Sequence, residues 1–229
     1  MSTEFDYIDE NLKKIFFNVN EAKAKYRSPQ DDIKIMAVTK TVAPEKVNYA
    51  ISKGIRLLGE NRVQEYLSKK DFYDEADVHF IGHLQTNKVK YIIDSISLIQ
   101  SVDSLKLASE INRCAEKAGK IQDILIEVNI GNEESKSGIS AECAEELIYQ
   151  ASEFPNIRIK GLMTIPPAVN SEEFLYKMQG LYIDISSKKI HNINMDILSM
   201  GMSADYALAV KYGSNLVRIG SAMFGARVY

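Results

Sequence analysis

The chain has 229 residues, 45% of them hydrophobic, with two cysteines and a formal net charge of −3. That length and apolar fraction suffice for one substantial core, so a single domain over residues 1–229 is expected. A slightly acidic chain lacks the concentrated basic surface that nucleic acid or an anionic membrane requires, and neither is expected as a partner.

The N-terminus, MSTEFDYIDE, carries acidic residues where a secretory signal needs basic ones, and no apolar core follows it. No uninterrupted apolar stretch approaches the roughly 20 residues of a membrane-spanning helix. A soluble, cytoplasmic protein is the expectation. Phe5, Ile8, Leu12, Ile15, Phe16 and Val19 recur at three- and four-residue spacing and predict a leading amphipathic helix before any strand. Short aliphatic runs of the kind that suits strands buried on both faces then follow at Ile33–Lys40, Ile55–Gly59, Val78–Gly82, Leu98–Val102, Ile124–Asn129, Ile157–Met163, Ile197–Met200 and Leu216–Gly220. Helical patterns lie between them. Asp103 is the expected N-cap of one that ends at Gly119, and Asn170 with Glu173 has the spacing of a capping box. Cys114 shares an apolar stripe with Ile111, Ala115 and Ala118, and both it and Cys143 are expected to be buried thiols without a redox role.

Strict alternation of eight strands with helices predicts a parallel sheet, and eight is the number that closes into a (β/α)8 TIM barrel with the leading helix as an addition. An open, doubly wound sheet fits the same alternation. In a barrel the working groups stand at the C-terminal ends of strands, which singles out Lys40 at the end of the first run. There, desolvation lowers a lysine pKa, and a neutral amine attacks an aldehyde. The second run ends in Gly59-Glu60-Asn61-Arg62, a glycine for close approach and an amide for hydrogen bonding. His79 and His83 are four apart, which suits a metal only on a helix; here the spacing crosses a strand end and a glycine turn, His191 lies elsewhere, and no metal is expected. The seventh run leads into Ser199-Met200-Gly201-Met202-Ser203, with a helix expected from about Ala204, and the eighth into Ile219-Gly220-Ser221-Ala222. Small-residue turns after strands seven and eight are where barrels bind phosphate. A reactive lysine with a phosphate cradle points to a phosphorylated carbonyl ligand.

In the segments AVTK, GENRVQE, HFIGHLQTNK, EVNIGNEESKSG, GLMTIPP, LSMGMSADY and VRIGSAMFGAR the sequence resembles the YggS/PROSC pyridoxal phosphate homeostasis proteins, similar in fold to the N-terminal barrel domain of alanine racemase. The resemblance covers nearly the whole chain in order. It implies a monomeric or weakly associating barrel that carries pyridoxal 5′-phosphate as an aldimine, a Schiff base on Lys40, and acts in vitamin B6 homeostasis, with apo pyridoxal enzymes as recipients. By the same resemblance Asn61, Met200, Ser203, Gly220 and Ser221 contact the cofactor, and Arg218 faces the pyridine nitrogen. Position 83 is His where the family more often has Pro, and Ser221 stands where Thr is common.

Three functions use Lys40: a non-catalytic carrier, an amino-acid racemase and a Schiff-base aldolase. An aldolase needs a proton relay for which Glu127 is the only obvious candidate. A racemase needs an acid/base on each ring face, and in alanine racemase one of them comes from a second domain that is not expected after strand eight. No tyrosine of the tail to Tyr229 has the placement of a catalytic base, and a cation such as Arg218 by the ring nitrogen weakens the ring as an electron sink. The carrier reading is preferred, with no catalytic residue assigned, and Lys136 is read as a solvated loop charge.

Overall fold

The computed structural model describes residues 4–226; Tyr229 lies outside them. After helix α1 (Asp6–Tyr26) the chain runs β1 (Lys34–Val38), α2 (Pro44–Ser52), β2 (Leu57–Glu60), α3 (Val63–Lys69), β3 (Asp77–Phe80), β4 (Leu98–Val102), α4 (Leu105–Lys117), β5 (Gln122–Val128), α5 (Ala141–Ser152), β6 (Ile157–Thr164), α6 (Ser171–Ser187), β7 (Ile193–Ser199), α7 (Tyr206–Lys211), β8 (Leu216–Ile219) and α8 (Ser221–Phe224). Each strand pairs in parallel with its neighbour, and β8 returns to β1 through Ala37 opposite Ile219, so the sheet is a closed barrel and the open alternative is excluded. Helices and loops on the outside join the parallel neighbours, which is why most strand positions, as in β2, β4 and β8, are buried on both faces.

Alternation along each strand separates two layers. Met36, Leu57, Ile81 and Leu216, with Leu98, Leu125 and Met163, fill the barrel interior. Ala37, Leu58, Val217 and Ile219 point outward, where α1 buries Ile8, Leu12, Ile15, Val19 and Ala22 against them and against α7 and α8. Phe16 sits at the border of that stripe and is 36% exposed.

Several local expectations change. Between β3 and β4 the connection is a 3-10 turn (Thr86–Tyr91), so the alternation of strands with α helices is broken once. The N-cap of α4 is Ser104, whose Oγ accepts from Leu107 N; Asp103, one residue earlier, is too far from the first turn. Gly119 does take the left-handed conformation, at φ 64°. Asn170 precedes α6 in a left-handed conformation with no side-chain cap, because Glu173 is drawn into an ion pair with Lys177. Helix α7 starts at Tyr206, two residues after the expected position, since Asp205 is used to fold the preceding turn. Cys114 is buried and Cys143 is exposed, because it falls off the apolar face that α5 presents to the core.

Candidate functional site

Lys40 lies two residues beyond β1, in a turn. It continues the parity of Met36 and Val38, which face inward, so the strand aims it at the C-terminal mouth. Both flanks of this turn are clamped from outside the barrel. Thr39 Oγ1 donates to Glu60 Oε1 at 2.6 Å, Lys69 Nζ donates to the Thr39 carbonyl at 3.3 Å, and Thr41 N, in a residue at φ 61°, donates to Glu65 Oε1 at 2.5 Å. Glu65 and Lys69 are themselves paired. Glu60 also accepts from Tyr73 Oη at 2.6 Å, and burial raises its pKa above the ordinary value. The segment GENRVQE, read in sequence only as a strand end and an amide, is thus the device that holds the lysine turn.

Beside the lysine turn, at the end of the paired strand β8, Gly220 N and Ala222 N both donate to Ser203 Oγ, at 3.2 and 3.1 Å. These contacts tie the turn after β7 to the start of α8. With both lone pairs filled by amides, the Ser203 hydroxyl is left as a donor. Lys40, Gly220 and Ser221 line one cavity of about 220 Å³, with Val38, Thr41 and Lys46. A Cβ on Gly220 would stand 3.4 Å from Val38 Cβ, already in contact. Asn61 follows β2 and leaves its Oδ1 buried without a hydrogen bond. Its backbone is pressed against Gly82, where any Cβ would come within 2.1 Å of the Asn61 carbonyl.

Below the mouth, the barrel contains a set of polar groups whose mutual contacts the sequence did not reveal. Arg218 is 3% exposed, and its guanidinium donates to Ser199 Oγ at 2.7 Å and to the Thr164 carbonyl at 2.8 Å. Burial brings its pKa down to about 10, so it remains a cation at neutral pH. Ser199 Oγ donates to Gln100 Oε1 at 2.7 Å, and Gln100 Nε2 meets His79 Nδ1 at 2.9 Å. Glu127 accepts from Ser137 Oγ at 3.1 Å, and burial pushes its pKa up to about 7.

The remaining candidates are scattered. Met200 is fully buried in the layer between strands and helices, because period two turns the residue after inward Ser199 outward; its side chain is not at the mouth. His79 is inside the barrel, whereas His83 is exposed with its Nδ1 3.9 Å from Asp103. Lys136 is tied down more than a solvated charge would be, to Glu133 and to the Pro166 carbonyl.

Residues 11–228 match the family model described as the alanine racemase N-terminal domain. Over 226 residues the chain is 39% identical to a protein of Aquifex aeolicus (strain VF5) named pyridoxal phosphate homeostasis protein, covering 96% of this chain and 98% of that one. The chain belongs to the family of pyridoxal phosphate homeostasis proteins. A member from Escherichia coli (strain K12) with the same name is 34% identical over 231 residues, with 97% of each chain covered. Among solved structures, PipY of Synechococcus elongatus PCC7942 with pyridoxal phosphate bound superposes with a TM-score of 0.80 at 26% identity, covering 95% of this chain and all of that one.

Proposed function

We propose that this chain binds pyridoxal 5′-phosphate at the Lys40 end of the barrel and serves as its carrier in intracellular vitamin B6 homeostasis, without turning over a substrate. Lys40, Asn61, Ser203, Gly220 and Ser221 are the residues that would hold the cofactor, and the chain acts as one monomeric unit in the cytoplasm. The observation that carries this reading is the cavity lined together by Lys40, just beyond β1, and by Gly220 and Ser221, just beyond the paired strand β8. A ligand that satisfies both groups needs a carbonyl for the amine and an anion for the small-residue turn. PipY, a barrel of the same fold with pyridoxal phosphate bound, supports that choice among phosphorylated carbonyl compounds.

The residues fit the group on two further counts. Ser203, its acceptor sites filled, has only a proton to offer, which suits an anionic oxygen. Asn61 Oδ1 is a buried acceptor awaiting a donor. When bound, pyridoxal phosphate supplies an aldehyde for an amine and a ring that, once protonated, withdraws electrons from an attached carbon.

Arg218 supports carriage over turnover. It is one inward position below Gly220 on β8, cationic and pinned by two hydrogen bonds, and a fixed positive charge disfavours a proton on a neighbouring nitrogen. A protein that keeps the ring a poor electron sink retains the cofactor without spending it on amino acids, as befits the homeostasis proteins to which it is related. The test mixes cofactor-loaded protein with an apo pyridoxal enzyme and, separately, with L-amino acids. Restored enzyme activity without loss of optical purity or formation of keto acids is expected. Sustained racemisation that disappears in Lys40→Ala would replace the carrier reading with a racemase.

A further inference from the structure

The barrel has a second opening. At the N-terminal end of the strands, opposite Lys40, lies a cavity of about 680 Å³. Inward-facing Leu57, Leu98, Ile197 and Leu216 make its floor, and Phe16 and Val19 of α1 contribute a wall. One polar side chain stands in that apolar floor: His79, 8% exposed.

The hydrogen-bonded chain above His79 fixes which ring nitrogen carries the proton. Arg218 has only donors, so Ser199 Oγ accepts from it and passes its own proton to Gln100 Oε1. The Gln100 amide nitrogen, a donor, then faces His79 Nδ1 at 2.9 Å. Nδ1 is therefore the bare acceptor and Nε2 bears the hydrogen. Burial, with Lys34 adding to it, pushes the ring pKa down to about 3, so this neutral tautomer persists at physiological pH. Among the described residues His79 makes its one hydrogen bond through Nδ1, which leaves the Nε2–H for the cavity. Such a group takes an acceptor and refuses a cation.

The rim adds charge. Lys34 opens β1 with the inward parity of Met36, and its positive charge is the one that reaches His79. Asp123 and Lys160 are already neutralised by Arg158 and Asp196. Of the remaining rim charges Lys23 and Arg56 reinforce Lys34, while Asp32 and Asp77 oppose it.

We propose that this cavity is a second ligand site, for a small aliphatic carboxylate: His79 Nε2–H donates to a carboxylate oxygen, Lys34 supplies the counter-charge, and the leucine floor takes the hydrocarbon. The site uses no residue of the Lys40 cavity and stands whether or not Lys40 carries a cofactor.

Nitrogen-15 spectroscopy of the histidine rings in the purified protein, with isovalerate and 3-methylbutylamine as probes, tests it. The expected result is an Nε2–H tautomer at His79 in the free protein, a saturable shift with isovalerate and none with the amine. His79→Leu is expected to abolish isovalerate binding, measured calorimetrically. Lys34→Gln, at an exposed position that leaves the core intact, is expected to weaken it about two- to fivefold. An Nδ1–H tautomer, an equal response to the amine, no saturable shift, or unchanged affinity in Lys34→Gln would each overturn the proposal.

Discussion

Ser203 and Glu127 show how one side chain's surroundings set what it does. Ser203 is made a donor by the two amides it accepts, so its loss removes a charge-assisted hydrogen bond of about 1.5–3 kcal/mol to a bound anion. Ser203→Ala is expected to weaken pyridoxal phosphate binding roughly 10- to 100-fold and to leave the weaker binding of unphosphorylated pyridoxal nearly unchanged, as read by absorbance titration. An equal effect on both would remove Ser203 from the phosphate end. Burial pushes the Glu127 pKa up to about 7 against an ordinary 4.5, which keeps the carboxyl protonated in the fold at mildly acidic pH. Between those two values the folded protein keeps a proton that the unfolded chain has released, so this group's contribution to stability falls as pH rises through the window and is constant above it. Urea unfolding is expected to show wild type losing on the order of 2–3 kcal/mol relative to Glu127→Gln from pH 4.5 to 7. A variant that loses as much as wild type would show that Glu127 is ionised in the fold.

At the scale of elements, α1 and α3 support the barrel from outside it. Leu12 is 2% exposed in the layer between α1 and the barrel, and Leu12→Ala is expected to cost about 2–4 kcal/mol in denaturant unfolding. Helix α3 grips the Lys40 turn through Glu65 and Lys69, so Glu65→Ala is expected to fold yet to release cofactor faster in dialysis, because Thr41 loses the acceptor that holds its left-handed backbone. Retention equal to wild type would make the clamp merely structural. The strands were legible in the sequence because each contains a short aliphatic run, and Lys40 was legible because it follows the first of them. The caps were less so. Asp103 and Ser104 are adjacent and chemically equivalent as caps, and which one starts α4 depends on where the chain leaves β4. Met200 follows inward Ser199 by a single step of the two-residue period, and its side chain packs in the layer between strands and helices. The row His79, Gln100, Ser199 and Arg218 could not be read at all, since its members come from four strands and meet only when the barrel closes.

For the whole molecule, closure of the sheet creates two ends with different chemistry. The C-terminal mouth has an amine facing small-residue turns, and the N-terminal mouth has an imidazole N–H in an apolar floor with a lysine at the rim. Arg218 and its hydrogen-bonded partners span the interior between them. The central claim is that the first end holds pyridoxal phosphate through Lys40. Lys46 lines the same cavity and is the natural rival. Borohydride reduction of the cofactor-loaded protein followed by peptide mapping separates them directly. The pyridoxyl adduct is expected on Lys40 alone and absent from Lys40→Ala, whereas an adduct on Lys46 or any other lysine, or a Lys40→Ala protein that still acquires one, would contradict the account.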